Sequence, residues 1–258
     1  MVEKTTIDES RQHSTICAFS AAETRTAAIH QPNYIPWLGY FFKIAYTHKF
    51  VFLDVVAFPR GGSFVNRNYI KTQNGPAWLT VPVLTSGRSG QLIREVKLHN
   101  LRNWTDRHLR TLRSNYGRAP YFKETFALLE PHYRGNNVDG QLLADFNIEL
   151  ICSIAAHLGI CAQFVRASEL SVLGQRTDLI RDICQAIGAT TYLAGTGWAK
   201  SYQEDTKLED AGITPVYSRF SQPRYPQLFG EFVENLSIVD VLMNCGHLGT
   251  RRLLGLEH

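Results

Sequence analysis

One stretch near the start of the chain, residues 26–58, most constrains the fold. It opens with a short apolar run at 27–29, passes through a loop of turn-forming and aromatic residues, and continues in a helical apolar pattern at 38–45. A second apolar run follows at 50–53. Strand, loop, helix and strand in this order form a βαβ unit, which builds parallel sheets. We therefore predict an α/β fold with a parallel-sheet, Rossmann-like core.

The later part of the chain repeats this order. Residues 161–166 and 191–194 have the pattern of buried strands, and residues 176–187 between them have the period of an amphipathic helix. In the middle, residues 101–159 carry three helical patterns and predict an inserted helical subdomain. Residues 91–98 alternate in polarity and predict one further strand.

These patterns predict a single α/β domain at residues 26–255, made of a first α/β half, a helical subdomain and a second α/β half at 26–100, 101–159 and 160–255. Residues 1–25 are polar and lack periodicity, so we expect a disordered or loosely docked extension. The last three residues resemble the remnant of an expression tag.

Composition narrows the class of protein. A net charge of +4 without a dense Lys/Arg stripe suits a small anionic ligand and argues against nucleic acid. No apolar run is long enough to span a bilayer and no signal peptide is recognisable, so we expect a cytoplasmic protein. The five cysteines are widely spaced and predict reduced thiols rather than a metal site. No cofactor is predicted, and a homodimer is left open.

The loop after the first strand is the leading candidate site. Ligands of open α/β sheets bind at the carboxyl ends of the strands, where this loop lies. Because the pKa of histidine lies near neutrality, His30 is the predicted general base or transition-state donor. The predicted substrate-binding residues of the loop are Gln31, Asn33, Tyr34 and Trp37. The alternative for each of them is ordinary packing.

A basic, amide-rich segment follows, with Asn66, Arg67 and Lys71. The arginine side chain offers a fork of donors and the lysine a point charge, a combination that suits a phosphate or carboxylate. The alternative is a solvated hairpin. His108, on a predicted basic helix, is expected to be solvated.

The second half contributes a glycine loop and a helix start. Gly195 and Gly197 follow a predicted strand and allow close approach of a ligand to the backbone, with Tyr202 nearby. Arg176, Thr177 and Asp178 lie where a helix begins, so backbone N–H groups there are suited to an anion. Ordinary helix capping is the alternative for the last two of these residues.

The final predicted helix, residues 236–246, begins at Ser237 and ends at Gly246. Asp240 lies among apolar neighbours, and a buried carboxylate needs a partner, for which an arginine or histidine would suit. Its predicted role is catalytic, with a structural ion pair as the alternative. Tyr225 and Gln227 precede the helix as candidate substrate-binding residues.

The segments HQPNYIPWLGYFFKIA, FVFLD and NRNYIKTQNGPAWLTVPV resemble the WbqC-like family, and the resemblance extends over residues 27–246. Members are bacterial proteins often encoded with O-antigen and other surface-polysaccharide genes. The resemblance implies a biosynthetic transferase, with glycine transfer to a sugar suggested for some members. It also implies a role for Asn66, Arg67 and Lys71.

Three functions follow from these observations. The first is transfer of a small acyl or aminoacyl group, such as glycine, to a sugar nucleotide or similar acceptor. The second is nucleotidyl transfer or ligation with ATP, because a nucleotidyltransferase-like layout fits the strand–loop–helix order; however, Trp37 and Tyr40 stand where that superfamily has the histidines of its HxGH motif. The third is a sugar-nucleotide-binding module without catalysis.

Overall fold

The computed structural model describes residues 25–59, 63–99, 101, 103–134, 140–196 and 203–256. The strands are β1 Thr26–His30, β2 Lys49–Phe52, β3 Arg67–Thr72, β4 Gly75–Thr80, β5 Gln163–Arg166, β6 Thr191–Ala194 and β7 Thr214–Tyr217. The helices are α1 Leu38–Ala45, α2 Trp104–Tyr116, α3 Phe122–Arg134, α4 Leu143–His157, α5 Arg176–Ala186, α6 Asp205–Glu209 and α7 Ile238–Leu253.

Five strands form one parallel sheet in the order β5-β2-β1-β6-β7, which confirms the predicted α/β fold. Both faces of the sheet are covered. Ala28 packs into one apolar core, while Ala27 and Ile29 pack into a second core on the opposite face. Because successive side chains of a strand point to opposite faces, a doubly covered strand must be apolar throughout.

The strand order contains a reversal beside β1. The chain passes from β1 through β2 to β5 on one side, and then returns to place β6 and β7 on the other side. The ladder between β1 and β6 has only two residue pairs, whereas each of the other parallel ladders has four. Such a reversal creates a crevice at the carboxyl ends of the two central strands, and ligands of open α/β folds bind there. We call this the switch-point crevice.

The long connection between β2 and β5 contains the antiparallel hairpin β3-β4 and the three helices α2, α3 and α4. The three predicted helices of this region are therefore confirmed. The predicted strand at 91–98 is wrong, because the segment forms a short 3-10 helix at Ile93–Glu95 with isolated bridges on either side. The backbone groups of this segment form hydrogen bonds with several neighbouring loops instead of pairing continuously with one strand.

The last helix begins at Ser237 as predicted, and the serine hydroxyl accepts a hydrogen bond from the Val239 N–H. It does not end at Gly246. Instead, Gly246 adopts φ 66° and ψ −174°, which kinks the helix, and the chain continues helically to Leu253. No helix within the described residues is long and apolar enough to cross a membrane.

Candidate functional site

His30 ends β1 at the switch-point crevice and is half-buried. Its Nδ1 lies 3.2 Å from the carbonyl oxygen of Gln31. Because a carbonyl can only accept, Nδ1 carries the proton in this bond and the lone pair of the neutral ring is on Nε2. The ring packs edge-on against Trp37 and Tyr40, with centroid distances of 5.6 and 4.8 Å. The geometry therefore fixes the ring as a hydrogen-bond acceptor at Nε2.

Burial and, to a smaller extent, the nearby positive charge of Lys43 lower the pKa of His30 to about 3. The imidazole is consequently neutral at physiological pH. A neutral ring can accept a hydrogen bond from a substrate hydroxyl or amine, but it does not offer a positive charge to an anion.

The rest of the loop divides into two parts. Gln31 is half-buried, and its carbonyl also accepts a bond of 3.0 Å from the Tyr40 hydroxyl. Trp37 is half-buried at the start of α1. Asn33 and Tyr34 instead point into the protein, with 3% and 0% of their surface exposed. The structure therefore brings His30, Gln31 and Trp37 to the crevice and places the other two predicted residues beneath it.

Tyr34 is held by residues far away in the sequence. Its hydroxyl lies 2.9 Å from Nδ1 of His108 and also bonds to the hydroxyl of Tyr133. Nε2 of His108 is 3.0 Å from the carbonyl oxygen of Thr80. The expectation that His108 is solvated is thus wrong: it is 3% exposed, and burial lowers its pKa to about 3. It is buried because both ring nitrogens find partners inside.

A cavity of about 630 Å³ lies beside the hairpin. Two arginines, Arg67 and Arg88, line it together with Asn66, whose amide donates to the carbonyl of Val81. The other lining residues are mainly small, polar or turn-forming: Phe58, Pro59, Ser63, Thr80, Val83, Thr85, Gly87, Ser89, Gly90 and Gln91. Asn66 and Arg67 were singled out in the sequence, but Arg88 was missed because it lies in a Gly/Ser-rich turn.

Arg67 is oriented by an aromatic ring. Its guanidinium carbon lies 4.3 Å from the centroid of the Trp78 ring, a cation–π arrangement. Its Nε is buried and has no hydrogen-bond partner within the described residues. Buried donors normally have an acceptor, so this nitrogen is one place where a ligand oxygen would satisfy the structure.

Aromatic rings connect the switch-point crevice with the arginine-lined cavity. Trp37 lies 5.8 Å from the ring of Phe64, which lies 5.8 Å from that of Trp78. Phe64 and Trp78 are each 38% exposed. We call these three rings the aromatic surface. It extends from the ring beside His30 to the ring beneath Arg67, so one extended ligand can contact both.

Lys71 does not join Arg67 in one anion site. The two residues are four positions apart on β3, which corresponds to about 13 Å at the rise of a strand. Lys71 is 1% exposed, and its ammonium group donates to Oε1 of Gln227, at 3.1 Å, and to the carbonyl of Glu231. Two of its three donors are therefore used within the fold.

Asp240 lies next to this lysine and is fully buried. The hydroxyls of Tyr116 and Tyr225 donate to its two carboxylate oxygens at 2.7 and 2.9 Å. Burial raises its pKa, and these two bonds and the charge of Lys71 oppose that shift. The expected arginine or histidine partner was wrong, because tyrosines take that place. A catalytic role of Asp240 stays a prediction, and its position favours the structural alternative.

The three residues predicted at the start of α5 have different surroundings. Thr177 accepts a bond of 3.2 Å from the N–H of Glu204. Asp178 pairs with Arg181 of the same helix at 2.9 Å and with Lys207 of α6 at 3.7 Å. Arg176 is exposed at the first position of α5. Thr177 and Asp178 thus link α5 to neighbouring groups rather than cap it, since the helix has no side-chain cap bond.

Gly195 follows β6 at the other wall of the switch-point crevice, and a Cβ built on it meets no atom of the described residues within 4 Å. Gly197 and Tyr202 lie outside the described residues. Within those residues, no group of three or more His, Cys, Asp or Glu side chains is arranged to hold a metal.

The sheet order and the polar loop at its reversal define an α/β protein with a Rossmann-like core. The chain belongs to the WbqC-like protein family, whose family model matches residues 31–252. It is also similar to the uncharacterized protein Rv1507c of Mycobacterium tuberculosis (strain ATCC 25618 / H37Rv), with 34% identity over 223 residues, 86% of this chain and 94% of the relative. No solved structure matches the chain.

Proposed function

We propose that this protein is a cytoplasmic biosynthetic transferase, which moves a small acyl or aminoacyl group, such as glycine, to a sugar nucleotide or similar acceptor for a surface-polysaccharide or specialised-metabolite pathway. The observation that carries this proposal is the aromatic surface between His30 and the arginine-lined cavity. A substrate with an anionic end and a reactive end fits such an arrangement. The family resemblance supports the choice of transferred group.

In this proposal the cavity holds the anionic end of the acceptor. Arg67 and Arg88 supply donors for phosphate oxygens, and the fork of a guanidinium group matches two such oxygens at once. The stacked position of Arg67 on Trp78 supports the assignment, because it limits the rotamers that binding would have to select.

His30 then acts on the reactive end. The attacking hydroxyl or amine of the acceptor donates a hydrogen bond to Nε2. As its oxygen or nitrogen forms a bond to the carbonyl carbon of the donor, its proton passes to Nε2, and the leaving group departs with its electron pair. The bond between Nδ1 and the Gln31 carbonyl supports this role because it fixes the tautomer.

The cavity assignment is tested by thermal stability and calorimetry with a panel of UDP-sugars. We expect at least one of them to raise the melting temperature of the wild-type protein. Arg67→Met should weaken its affinity at least tenfold. Arg113→Met is the matched control, since Arg113 also stacks on an aromatic ring, that of Phe126, outside the lining of the cavity. Equal affinities of the two variants would overturn the assignment.

Binding and turnover of the same UDP-sugars distinguish a transferase from a binding module without catalysis. His30→Ala should keep the affinity for the sugar nucleotide and lose turnover, whereas a binding module has no turnover to lose. The strand order favours a second candidate, nucleotidyl transfer or ligation, because the binding crevice adjoins the start of α1. Stabilisation by ATP together with release of pyrophosphate would replace the transferase proposal with this one.

A further inference from the structure

Lys43 on α1 is an unusual cation. The residue is only 6% exposed, and within the described residues its ammonium group makes one hydrogen bond, a long one of 3.4 Å to the carbonyl oxygen of Ile29. Within the described part of the chain, no Asp or Glu carboxylate forms an ion pair with it. A buried charge normally has a partner, so this one is incompletely paired.

The bonded carbonyl locates the ammonium group. The carbonyls of Thr26 and His30 point toward β2, where they accept from His48 and Leu53. Because carbonyls alternate in direction along a strand, the Ile29 carbonyl points to the other side, toward β6. There the ladder has already ended at the pair Ala27–Tyr192. Lys43 therefore reaches β1 at the point where β1 and β6 separate.

The surroundings provide space and a reactive neighbour. Gly195 follows β6, and no atom of the described residues lies within 4 Å of the position where its side chain would begin. His30 is the residue after Ile29, and the charge of Lys43 is close enough to affect its ring. The floor of the switch-point crevice thus holds a buried cation beside the proposed base.

We propose that Lys43 binds an oxyanion of the substrate, a carboxylate or a phosphate, at the floor of the switch-point crevice. The bound oxyanion supplies the counter-charge that the described residues lack. This site is distinct from the cavity of Arg67 and Arg88 and holds the group next to the reaction centre. The inference rests on the proposed function only in taking the crevice as a binding site.

Binding at Lys43 would also prepare His30. The positive charge of Lys43 disfavours protonation of the imidazole, and burial lowers the pKa of Lys43 itself to about 8. An oxyanion between them favours the protonated form of both groups. The arrival of the substrate would therefore make His30 a stronger base at the moment when a proton has to be removed.

The experiment measures binding of sodium pyrophosphate and of glycine by calorimetry, so that the two sources of an oxyanion are separate arms. The Arg67→Met protein serves as the background, which removes most binding in the arginine-lined cavity. In that background we expect one of the two probes to bind, and Lys43→Met to weaken that binding at least tenfold. Lys49→Met is the matched control: Lys49 also donates to a carbonyl, that of Ile187, but at the start of β2.

A second measurement uses the wild-type protein and requires no stable Lys43 variant. The ring signals of His30, assigned by their loss in His30→Ala, should move when the probe is added in an NMR titration. Equal affinity with and without Lys43, or His30 signals that stay in place at saturation with both probes, would overturn the inference. Because neither readout requires turnover, failure of the transferase proposal leaves this result interpretable.

Discussion

Two buried lysines in this protein have opposite surroundings. Lys71 donates to Gln227 and to the Glu231 carbonyl, and Asp240 lies close enough to interact with its charge. Lys43 has one long bond and no carboxylate partner within the described residues. The first lysine is satisfied by the fold, and in our proposal an oxyanion of the substrate satisfies the second. The difference separates a structural cation from a candidate ligand site, although both are equally hidden from solvent.

The largest effect is expected for the replacement of Asp240, which lies beside Lys71. Asp240→Ala removes a negative charge close to Lys71 and the acceptor of the Tyr116 and Tyr225 hydroxyls. We expect the free energy of unfolding, measured with urea, to fall by about 3–5 kcal/mol. A variant of unchanged stability that has lost turnover would instead support the catalytic role.

Replacing each lysine with methionine tests the comparison directly. Lys71→Met should lower the free energy of unfolding by about 1–3 kcal/mol, because the Glu231 carbonyl loses its donor and Gln227 Oε1 keeps only the bond from the Val233 N–H. Lys43→Met should cause no loss near pH 7, since it removes an incompletely paired charge. A larger loss for Lys43→Met than for Lys71→Met would show that Lys43 is the structural cation.

Alkaline pH tests the charge of Lys43 separately, through the slope of stability against pH. The pKa of Lys43 is about 8 in the folded protein, against an ordinary value of 10.5. Between these values the unfolded chain binds more protons, so this residue makes the folded state more stable as pH rises, by at most about 1.4 kcal/mol per pH unit. Buried tyrosines and cysteines with raised pKa values act in the opposite direction.

The contribution of Lys43 is therefore the difference between the curves of unfolding free energy against pH for the wild-type protein and for Lys43→Met. Unfolding of the wild-type protein and of Lys43→Met is followed from pH 7 to 11. The wild-type protein should gain stability relative to the variant across the window. Parallel curves would mean that the ammonium group of Lys43 is better solvated than its burial implies.

The smallest expected effect concerns the aromatic surface. Phe64 is 38% exposed, so Phe64→Ala should change the free energy of unfolding by about 0.5 kcal/mol or less. Removal of a stacking ring should nevertheless weaken binding of a UDP-sugar by about 1 kcal/mol. An unchanged affinity in calorimetry would mean that the substrate occupies either the switch-point crevice or the arginine-lined cavity, but not both.

The sequence was most informative where structure is local. The apolar runs of β1 and β2 and the turn-forming loop between them are contiguous, so the βαβ unit and the position of His30 follow from a short window. Asn66 and Arg67 were found for the same reason, since amides and arginines close together are visible without a fold. The glycine at the end of β6 was visible as a break after an apolar run.

The rest depends on residues that the fold brings together from far apart. Tyr116 lies 124 positions from Asp240, and Lys71 lies 156 positions from Gln227. No local pattern indicates which buried polar group will meet which partner, so Lys71 was assigned to an anion and Asp240 to an arginine or histidine. Lys43 has only an ordinary helical context in the sequence, and the ladder that ends beside it is known only from the sheet.

The kink at Gly246 has a consequence for how the sequence can vary. Its φ of 66° favours glycine, and the ring of Tyr121 occupies the space that a Cβ would need. The N–H of Tyr121 also donates to the carbonyl of Met243, three residues earlier in the same helix. We therefore expect positions 121 and 246 to vary together. A larger residue at 246 requires a smaller side chain at 121 and also a different path for the helix.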